Sequence, residues 1–316
     1  HTHSLAFENN FLQKPIVDIW IKQLKTLLLA KYPKLKPSTP SFFLIPTIDI
    51  DNLFAYKYRG FLRTAGATFR DAVSGKFTTL MHRLRVVCGL ETDPYNNIKE
   101  VVALHKQFKI LPIFFLHFGD YGAHDKYAIF PNKEWKAFGR TFQRPYTVGL
   151  HPSYKAAVDW EQLKKEKKRM EATVGVNANI CRYHFLRFRL PVSYRWLLKA
   201  RIREDFSMAY ADALGFRAST CFPFYFYDLL KEKSSEMLVH SPCVMDVTLK
   251  NRLNLNPDKA VEKCFALLDE VKQVGGEFIS IFHNESLSDF HEWEGWKDMY
   301  KQILKKVLLK PKSQNS

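Results

Sequence analysis

The sequence predicts an α/β fold, a distorted, TIM-like (β/α) barrel of about seven parallel strands. From Asp93 onward, apolar strand-like runs alternate with helical patterns of 10–17 residues, which indicates βαβ units with right-handed crossovers. About seven such units over roughly 270 residues suit a closed barrel. No glycine-rich phosphate loop opens a predicted helix, which disfavours a nucleotide-binding doubly wound sheet.

The predicted elements divide the chain into two parts. Residues 1–40 hold a helix over 15–32 and a Pro/Lys-rich linker, and residues 41–316 form the barrel, with a basic insertion at 52–93. Apolar runs predict strands at 42–51, 111–117, 146–151, 180–188, 215–220, 239–248 and 277–283. Amphipathic periodicity predicts helices at about 95–109, from 132, at 157–173, from 191, at 257–274 and at about 293–309.

The formal net charge of +16 suits a polyanionic partner, such as an anionic glycan, a nucleic acid or an acidic membrane surface. The basic residues are spread along the chain, and no zinc-finger or RNA-binding signature gathers them. We therefore expect no nucleic-acid partner. No pattern in the sequence indicates the oligomeric state.

Cysteine usage and hydropathy bear on the compartment. The five cysteines are odd in number and mostly lie inside apolar runs, which is typical of free thiols in a reducing compartment. No run reaches the roughly 18 apolar residues that cross a membrane, and the first residues lack a signal-peptide pattern. These features predict a cytoplasmic protein.

The first strand, 42–51, ends in two carboxylates. Because side chains alternate along a strand, Thr47, Asp49 and Asp51 share one face. Carboxylates that point the same way repel each other unless a cation or a shared proton holds them. One interpretation is a strand that runs into an Asx-rich turn at Asp51-Asn52. The other is a metal ligand beside a general base.

Polar side chains also close four later apolar runs: His151, His184, Asp246 and His283. The carboxyl ends of the strands form the catalytic face of such barrels. Carboxylates with several imidazoles are donors for a divalent metal, most readily Zn²⁺, with Co²⁺ or Ni²⁺ as alternatives. The strand ends therefore predict a metal site at which water is activated, with an acid and a base beside it.

In order and spacing, these residues resemble the polysaccharide deacetylase family, which are metal-dependent carbohydrate esterases, over roughly residues 42–290. The first family motif is similar to Thr47-Ile48-Asp49-Ile50-Asp51, in which one residue is inserted between the two acids. The second is similar to Gly149-Leu150-His151-Pro152-Ser153-Tyr154 and the third to Arg187-Phe188-Arg189-Leu190-Pro191. Asp246 stands for the fourth motif and Ile281-Phe282-His283 for the fifth. Longer strings resemble a bacterial branch of deacetylase-like proteins in which a further domain precedes the barrel. Residues 1–40 are interpreted as its remnant.

The resemblance implies roles for five residues. Asp49 would be the general base, and His283 the general acid, with Asp246 orienting His283. Asp51 and His151 would bind the metal. Because Asp49 and Asp51 point the same way, the roles of base and ligand could also be exchanged.

The chain departs from the family at its second metal histidine, which would stand at position 155, where this sequence has Lys155. A lysine binds metal only when it is deprotonated, which costs energy beside a cation. His184, at the end of the neighbouring strand, is the candidate replacement. The alternatives are a weaker site with two ligands and a barrel that binds glycan without hydrolysis.

Arg187, Arg217 and Tyr154 are the candidate substrate-binding residues. Arg187 and His184 differ in strand parity, so the strand must bulge or end between them if both serve the site. Otherwise Arg182 is the arginine that points inward.

Two other segments have alternative interpretations. The aromatic and basic side chains of the insertion 52–93 either line a glycan site or form a solvated excursion over the barrel mouth. The tail helix, 297–310, is predicted to pack on the barrel with a lysine-rich outer face, and membrane-surface contact is the less favoured interpretation.

The resemblance implies a hydrolase that acts on C–N bonds other than peptide bonds. It would remove acetyl groups, N-acetyl in preference to O-acetyl, from a polysaccharide or glycan with the help of the metal. The alternative is a catalytically inactive barrel of the same fold that binds an anionic glycan.

Overall fold

One curled sheet of nine strands organises the computed structural model, which describes residues 1–125, 132–141 and 145–308. The strands are β1 Phe42–Ile50, β2 Ile113–His117, β3 Thr147–His151, β4 Ile180–Cys181, β5 Glu204–Asp205, β6 Phe224–Asp228, β7 Lys233–Val239, β8 Val244–Met245 and β9 Gly276–His283. Their order is β6-β7-β5-β4-β3-β2-β1-β9-β8, and only β6 and β7 pair antiparallel. The predicted TIM-like α/β architecture is confirmed, as a half-barrel in which no described ladder joins β6 to β8.

The α-helices of the described residues precede, connect or follow these strands. They are α1 Leu5–Glu8, α2 Ile16–Lys31, α3 Phe61–Val73, α4 Phe77–Val87, α5 Ile98–Phe108, α6 Asn132–Thr141, α7 Trp160–Val174, α8 Val192–Lys199, α9 Pro257–Val274 and α10 Trp296–Leu308. The long predicted helices match these bounds closely, because their apolar periodicity spans several turns. Within this part of the chain, no helix has the length and apolarity needed to cross a membrane.

Three strand predictions are wrong in detail. The run 180–188 forms a strand only to Cys181, and a short 3₁₀ helix, His184–Leu186, replaces the rest. The run 215–220 is a series of turns, in which the Phe216 amide donates to the Leu12 carbonyl at 2.8 Å. The run 239–248 is divided between β7 and β8 by an irregular stretch that contains a proline, which cannot donate to a ladder.

Two apolar layers lie on either side of the sheet. Ile48, Ile50 and their counterparts on the other central strands pack outward against the helices. Phe115, Ile180, Phe206 and Ile279 fill the interior of the half-barrel. This interior layer forms an apolar floor, above which Thr47 and Asp49 point from β1.

Gly149 allows the side chains of the apolar floor to pack together. A Cβ at this position would lie 2.6 Å from the Ile180 side chain and 2.7 Å from the Phe115 ring. Real Cβ atoms do not approach other atoms so closely. The glycine two residues before His151 therefore makes room for two apolar side chains below the polar strand ends.

The terminal segments pack against the barrel in ways the sequence indicates. Asp18 of α2 accepts hydrogen bonds from the Thr220 hydroxyl and the Cys221 amide, both at 2.7 Å. Helix α10 buries its apolar side chains and turns lysines outward, as predicted for the tail helix up to residue 308. Its last predicted residues, 309 and 310, lie outside the described residues. All five cysteines are free thiols, and only Cys88 is exposed.

His240 is a buried histidine directly after the carboxyl end of β7. Its Nδ1 lies 2.7 Å from Glu277 Oε2, its Nε2 lies 3.3 Å from Glu204 Oε2, and its ring stacks on Phe206 at 4.2 Å. Burial lowers the pKa of His240, but the hydrogen bonds to Glu204 and Glu277 outweigh it and raise the pKa to about 9.

We expect protonated His240 to stabilise the fold in a pH-dependent way. Because the folded pKa is raised, the stabilisation is complete below about pH 6.5 and is lost as the pH rises through about 9. It amounts to roughly 3 kcal/mol, at about 1.4 kcal/mol per pKa unit. Urea unfolding at several pH values should show that the wild type exceeds His240→Gln in free energy of unfolding at pH 6.5 and that this difference shrinks as the pH rises through about 9. The exposed His3→Gln variant is the control. A constant difference between wild type and His240→Gln would contradict this role.

Candidate metal centre and active site

Asp51, directly after β1, faces two imidazoles at the carboxyl end of the sheet. Its Oδ1 lies 3.2 Å from His151 Nε2, and its Oδ2 lies 3.2 Å from His184 Nε2. Donor atoms of the three side chains all lie within 4.8 Å of one another. The structure thus brings together the three residues that the sequence offers as metal ligands.

Each imidazole is oriented through its other ring nitrogen. His151 Nδ1 lies 2.6 Å from the Arg182 carbonyl oxygen, and His184 Nδ1 lies 2.8 Å from Asp125 Oδ1. Both partners are acceptors, so each Nδ1 carries a hydrogen and each Nε2 is directed at Asp51. Metal-binding histidines are usually held in this way by a carbonyl or carboxylate.

The donor set fits a divalent ion. Asp51 Oδ1 and His151 Nε2 are buried and, in the described part of the chain, have no hydrogen-bond partner, although only 3.2 Å separates them. Buried acceptors without donors are costly, and a cation would satisfy both. Two imidazoles and a carboxylate are also a common protein ligand set of catalytic zinc.

The charges of the cluster depend on each other. Burial raises the pKa of Asp51, but His184, His151 and His283 together outweigh burial and hold the pKa well below its usual value. Burial likewise lowers the pKa of His184, whereas Asp51 and Asp125 raise it to about 9. The ionised Asp51 therefore requires positive charge beside its carboxylate.

His117, Asp125 and His184 form a second group of donors within 4.8 Å. His184 Nδ1 donates to Asp125, so its lone pair is not directed at this group. His117 Nδ1 donates to the His151 carbonyl at 3.0 Å, and burial and the charges of His184 and His151 lower the pKa of His117 to about 3. We interpret this group as an outer layer that orients the two imidazoles facing Asp51.

Lys155 does not face the cluster. Its side chain is 66% exposed, and its Nζ lies 3.5 Å from Asp159 Oδ2. The lysine at the family's second histidine position therefore points to solvent, and His184 occupies the place beside Asp51.

Asp49, the candidate base, is held by an arginine from β4. Arg182 NH1 donates to Asp49 Oδ1 at 2.6 Å, and its guanidinium lies 4.3 Å from the Phe115 ring centroid. Asp49 Oδ2 lies 3.9 Å from His151 Nε2. Arg182, the alternative to Arg187, is thus the buried arginine that points inward.

His283, the candidate acid, forms a dyad with Asp246. His283 Nδ1 lies 2.8 Å from Asp246 Oδ1, while Oδ2 accepts from the His283 amide at 2.7 Å and from the Ser286 hydroxyl. His283 Nε2 lies 3.7 Å from Asp51 Oδ2. Burial lowers the pKa of His283, but the charge and hydrogen bond of Asp246 raise it well above its usual value.

A pocket of about 310 Å³ opens beside Asp51 and His184 and is lined by Asp51, Asn52, His117, Ala123, His124, Asp125, His184, Phe185 and Glu285. At its rim, Phe185 is 53% exposed and has a left-handed backbone, with φ of 58°. Such a conformation is unfavourable for a bulky residue and is often retained at functional sites. Phe185 directly follows His184 and lies in the short 3₁₀ helix that replaces a continuation of β4.

The three candidate substrate-binding residues lie in different places. Tyr154 packs edge-on against Phe185, with ring centroids 5.7 Å apart, and Arg187 stacks on Tyr154 at 3.8 Å. Arg217 instead donates to the Ala209 carbonyl at 3.2 Å and lies over the Phe188 ring. None of the three lines the pocket directly, but Tyr154 contacts Phe185, which does.

Sequence reasoning missed His117, Asp125 and Glu285. His117 ends β2, so the rule that selected the other strand ends could have found it. Asp125 and Glu285 lie in loops, where no periodicity signals their position. Glu285 Oε1 accepts from Asn52 at 2.7 Å, and burial, together with Asp51, raises the pKa of Glu285.

Comparison with known proteins gives the same fold. A protein from Mycobacterium smegmatis named as a polysaccharide deacetylase aligns over 88% of this chain and 90% of its own, with a TM-score of 0.51 and 13% identity. PuuE allantoinase aligns over 86% and 88%, with a TM-score of 0.52 and 10% identity. The fold resembles that of the polysaccharide deacetylases.

Other comparisons are weaker. A CE4 family pseudoenzyme from Bacillus anthracis aligns over 87% of this chain and 66% of its own, at a TM-score of 0.41 and 12% identity, too low to carry an argument. A model described as a family of unknown function, DUF7033, matches residues 1–33. No curated protein sequence matches the chain.

We expect the cluster to bind one Zn²⁺ per chain. His184→Ala should weaken zinc binding by more than 100-fold because it removes a donor, and Asp125→Asn by about 10- to 100-fold because it removes the group that orients His184. Lys155→Ala is the matched control and should bind zinc as the wild type does. Competition with a chelator measures these affinities. Strong weakening in Lys155→Ala, or none in His184→Ala, would contradict the ligand set.

Proposed function

We propose that the protein is a metal-dependent hydrolase that removes acetyl groups, mainly N-acetyl, from a polysaccharide or glycan. The observation that carries this proposal is the three-donor cluster with two buried charge pairs beside it, Asp49–Arg182 and Asp246–His283. A divalent ion, when bound by Asp51, His151 and His184, supplies polarisation of the acetyl carbonyl and activation of water.

Asp49 is the proposed general base. Arg182 occupies its Oδ1 at 2.6 Å, which leaves Oδ2, 3.9 Å from His151 Nε2, to accept a proton from the attacking water. Asp51 contacts both imidazoles, so the geometry favours Asp51 as the ligand and Asp49 as the base. The buried guanidinium also keeps the Asp49 carboxylate in one orientation, as a base needs.

His283 is the proposed general acid. Its Nδ1 hydrogen is held by Asp246, and Nε2, the proposed site of the second proton, lies 3.7 Å from Asp51 Oδ2. Asp246 favours the protonated ring, and an imidazolium can deliver its Nε2 proton to the departing nitrogen. An amine is a poor leaving group without protonation, so this dyad supports N-acetyl rather than O-acetyl substrates.

The rim of the pocket suits a sugar. Exposed aromatic rings stack on the apolar faces of pyranose rings, and Phe185 presents such a ring beside Tyr154. Arg187, stacked on Tyr154, brings a cation that can pair with an acidic group on the glycan. These contacts support an acetylated, partly anionic glycan as the substrate class.

The inactive barrel is the weaker alternative. A protein that binds glycan without hydrolysis does not need a general acid, a general base or a complete set of metal ligands. Here His184 stands beside Asp51 although Lys155 replaces the usual histidine, and both charge pairs are complete. No contact of the described residues favours binding without hydrolysis.

We expect Asp49→Asn and His283→Gln each to lower kcat for acetate release from N-acetylglucosamine oligomers by about 10²- to 10⁴-fold. The KM should change little, because neither side chain is proposed to bind the ground state. Steady-state kinetics with zinc-loaded protein tests this, and the metal content of each variant must be measured alongside.

The exposed histidine variant His3→Gln is the matched control and should retain wild-type kcat. Equal losses in kcat and in substrate affinity would remove the assignment of His283 as an acid. Zinc-loaded wild-type protein that binds the oligomers but releases no acetate would favour the inactive barrel.

A further inference from the structure

The insertion between β1 and α5 folds into two helices whose apolar faces point away from the protein. On α3, the outward side chains are Phe61, Leu62, Phe69 and Val73, with Phe61 84% and Phe69 72% exposed. Its less exposed positions are small or polar and include Thr64, Ala67, Thr68, Asp71 and Ala72. An ordinary surface helix has the opposite arrangement.

Helix α4 buries Val86 but also exposes a row of apolar side chains. Phe77, Met81 and Leu84 recur at helical spacing and are all exposed, Phe77 to 64%. Leu90, shortly after the helix, is also exposed. We call residues 57–90 the inverted hairpin.

Polar contacts hold the inverted hairpin together. Arg83 pairs with Asp71 across the two helices, and its guanidinium lies 4.7 Å from the Tyr56 ring. Asp93 accepts hydrogen bonds from the backbone amides of Ala55, Tyr56 and Lys57, at 2.6 to 3.0 Å. The outward apolar side chains thus do little for the fold of the hairpin itself.

The exposed apolar surface is large. Phe61, Leu62, Phe69, Val73, Phe77, Met81, Leu84, Val87 and Leu90 are each more than a third exposed. Eight of these side chains lie on two contacting helices, and Leu90 follows the second one. A soluble monomer seldom exposes so many neighbouring apolar side chains. Patches of this size mark interaction sites.

The charge of the inverted hairpin indicates what covers it. Residues 57–90 contain seven basic residues and one acidic residue, a net charge of +6. The acid is Asp71, which Arg83 already pairs. Arg70 and Lys76 are exposed beside the apolar side chains. Apolar side chains with flanking bases are the pattern of helices that lie in the interface of an anionic bilayer.

We propose that the inverted hairpin docks the protein on an anionic lipid surface. The phenylalanines and leucines would enter the headgroup region, and Arg70 and Lys76 would meet lipid phosphates. A second copy of the chain is a poorer occupant, because a twofold contact would place one +6 surface against another.

Docking would bring the pocket close to the lipid. The inverted hairpin begins a few residues after Asp51, and Arg63 lies 4.5 Å from the ring of Tyr121, in the loop between β2 and α6 that also supplies pocket residues. Together with the proposed function, on which this step rests, the placement favours an acetylated glycan carried on a lipid. The docking itself does not depend on catalysis.

Helix α2 also has an exposed apolar face, which includes Trp20, Ile21 and Leu24. It lies at the other end of the barrel, where Lys22 donates to the Gln273 carbonyl just before β9, and Lys25 donates to the Ser38 carbonyl. These lysines bind the protein's own backbone. Helix α2 therefore provides a matched apolar control.

Vesicle flotation tests the docking. The zinc-loaded full chain should float with vesicles of equimolar phosphatidylcholine and phosphatidylglycerol, and should bind pure phosphatidylcholine at least tenfold more weakly. The triple variant Phe61→Ser, Leu62→Ser, Phe69→Ser should lose at least tenfold in binding. The double variant Arg70→Gln, Lys76→Gln should lose about tenfold and show a weaker salt dependence.

The α2 variant Trp20→Ser, Ile21→Ser, Leu24→Ser should float like the wild type. Circular dichroism and zinc content of every variant show that the fold and the metal centre persist.

The proposal is overturned if wild type does not float, or if the α2 variant loses binding and the hairpin variant does not. A dimer in sedimentation equilibrium that the hairpin variant dissociates would also overturn it, in favour of a second copy. Loss of docking with unchanged acetate release from soluble oligomers would leave the proposed function intact, whereas docking without any acetate release would contradict only the proposed function.

Discussion

Two carboxylates on one face of β1, at a largely buried barrel mouth, require positive charge on each side. Strand alternation places Asp49 and Asp51 side by side, and two neighbouring buried carboxylates are costly unless cations lie beside them. Arg182 supplies the charge for Asp49 at 2.6 Å, and His184 lies 3.2 Å from Asp51. Protonated His184 supplies that charge itself, whereas neutral His184 would share a divalent ion with Asp51. The rest of the site depends on how the chain delivers these two partners.

Arg182 and His184 lie two residues apart in the segment that follows β4. The irregular backbone of this segment allows both side chains to reach the carboxylates of β1. Arg182 directly follows β4 and points inward, whereas a strand continued to position 184 would place His184 on the same side but further along the barrel. Instead the strand stops, and left-handed backbone at Phe185 and Leu186 turns the chain. His184 then reaches Asp51, and Phe185 reaches the pocket rim. The apolar floor of Phe115, Ile180, Phe206 and Ile279 below keeps this polar layer at the mouth.

The sequence allowed the long elements and the strand-end residues to be predicted, because both have periodic signals. Asp49, Asp51, His151 and His283 could be selected since each closes an apolar run, and the structure places them together. Strands β5 and β6 could not be predicted: β5 has two residues, and the exposure of β6 alternates in a mostly apolar run. Asp125 comes from a loop that no pattern connects to His184. The insertion shows a further limit, since amphipathic spacing reveals an apolar face but not that it points outward.

The central claim is that Asp51, His151 and His184 hold a divalent ion between the base and acid pairs. Diffraction from zinc-soaked crystals, recorded on both sides of the zinc absorption edge, tests it most directly. The claim predicts one anomalous peak about 2.0–2.2 Å from an Asp51 carboxylate oxygen, His151 Nε2 and His184 Nε2. Zinc found only at surface residues, or bound by Lys155 in place of His184, would contradict it.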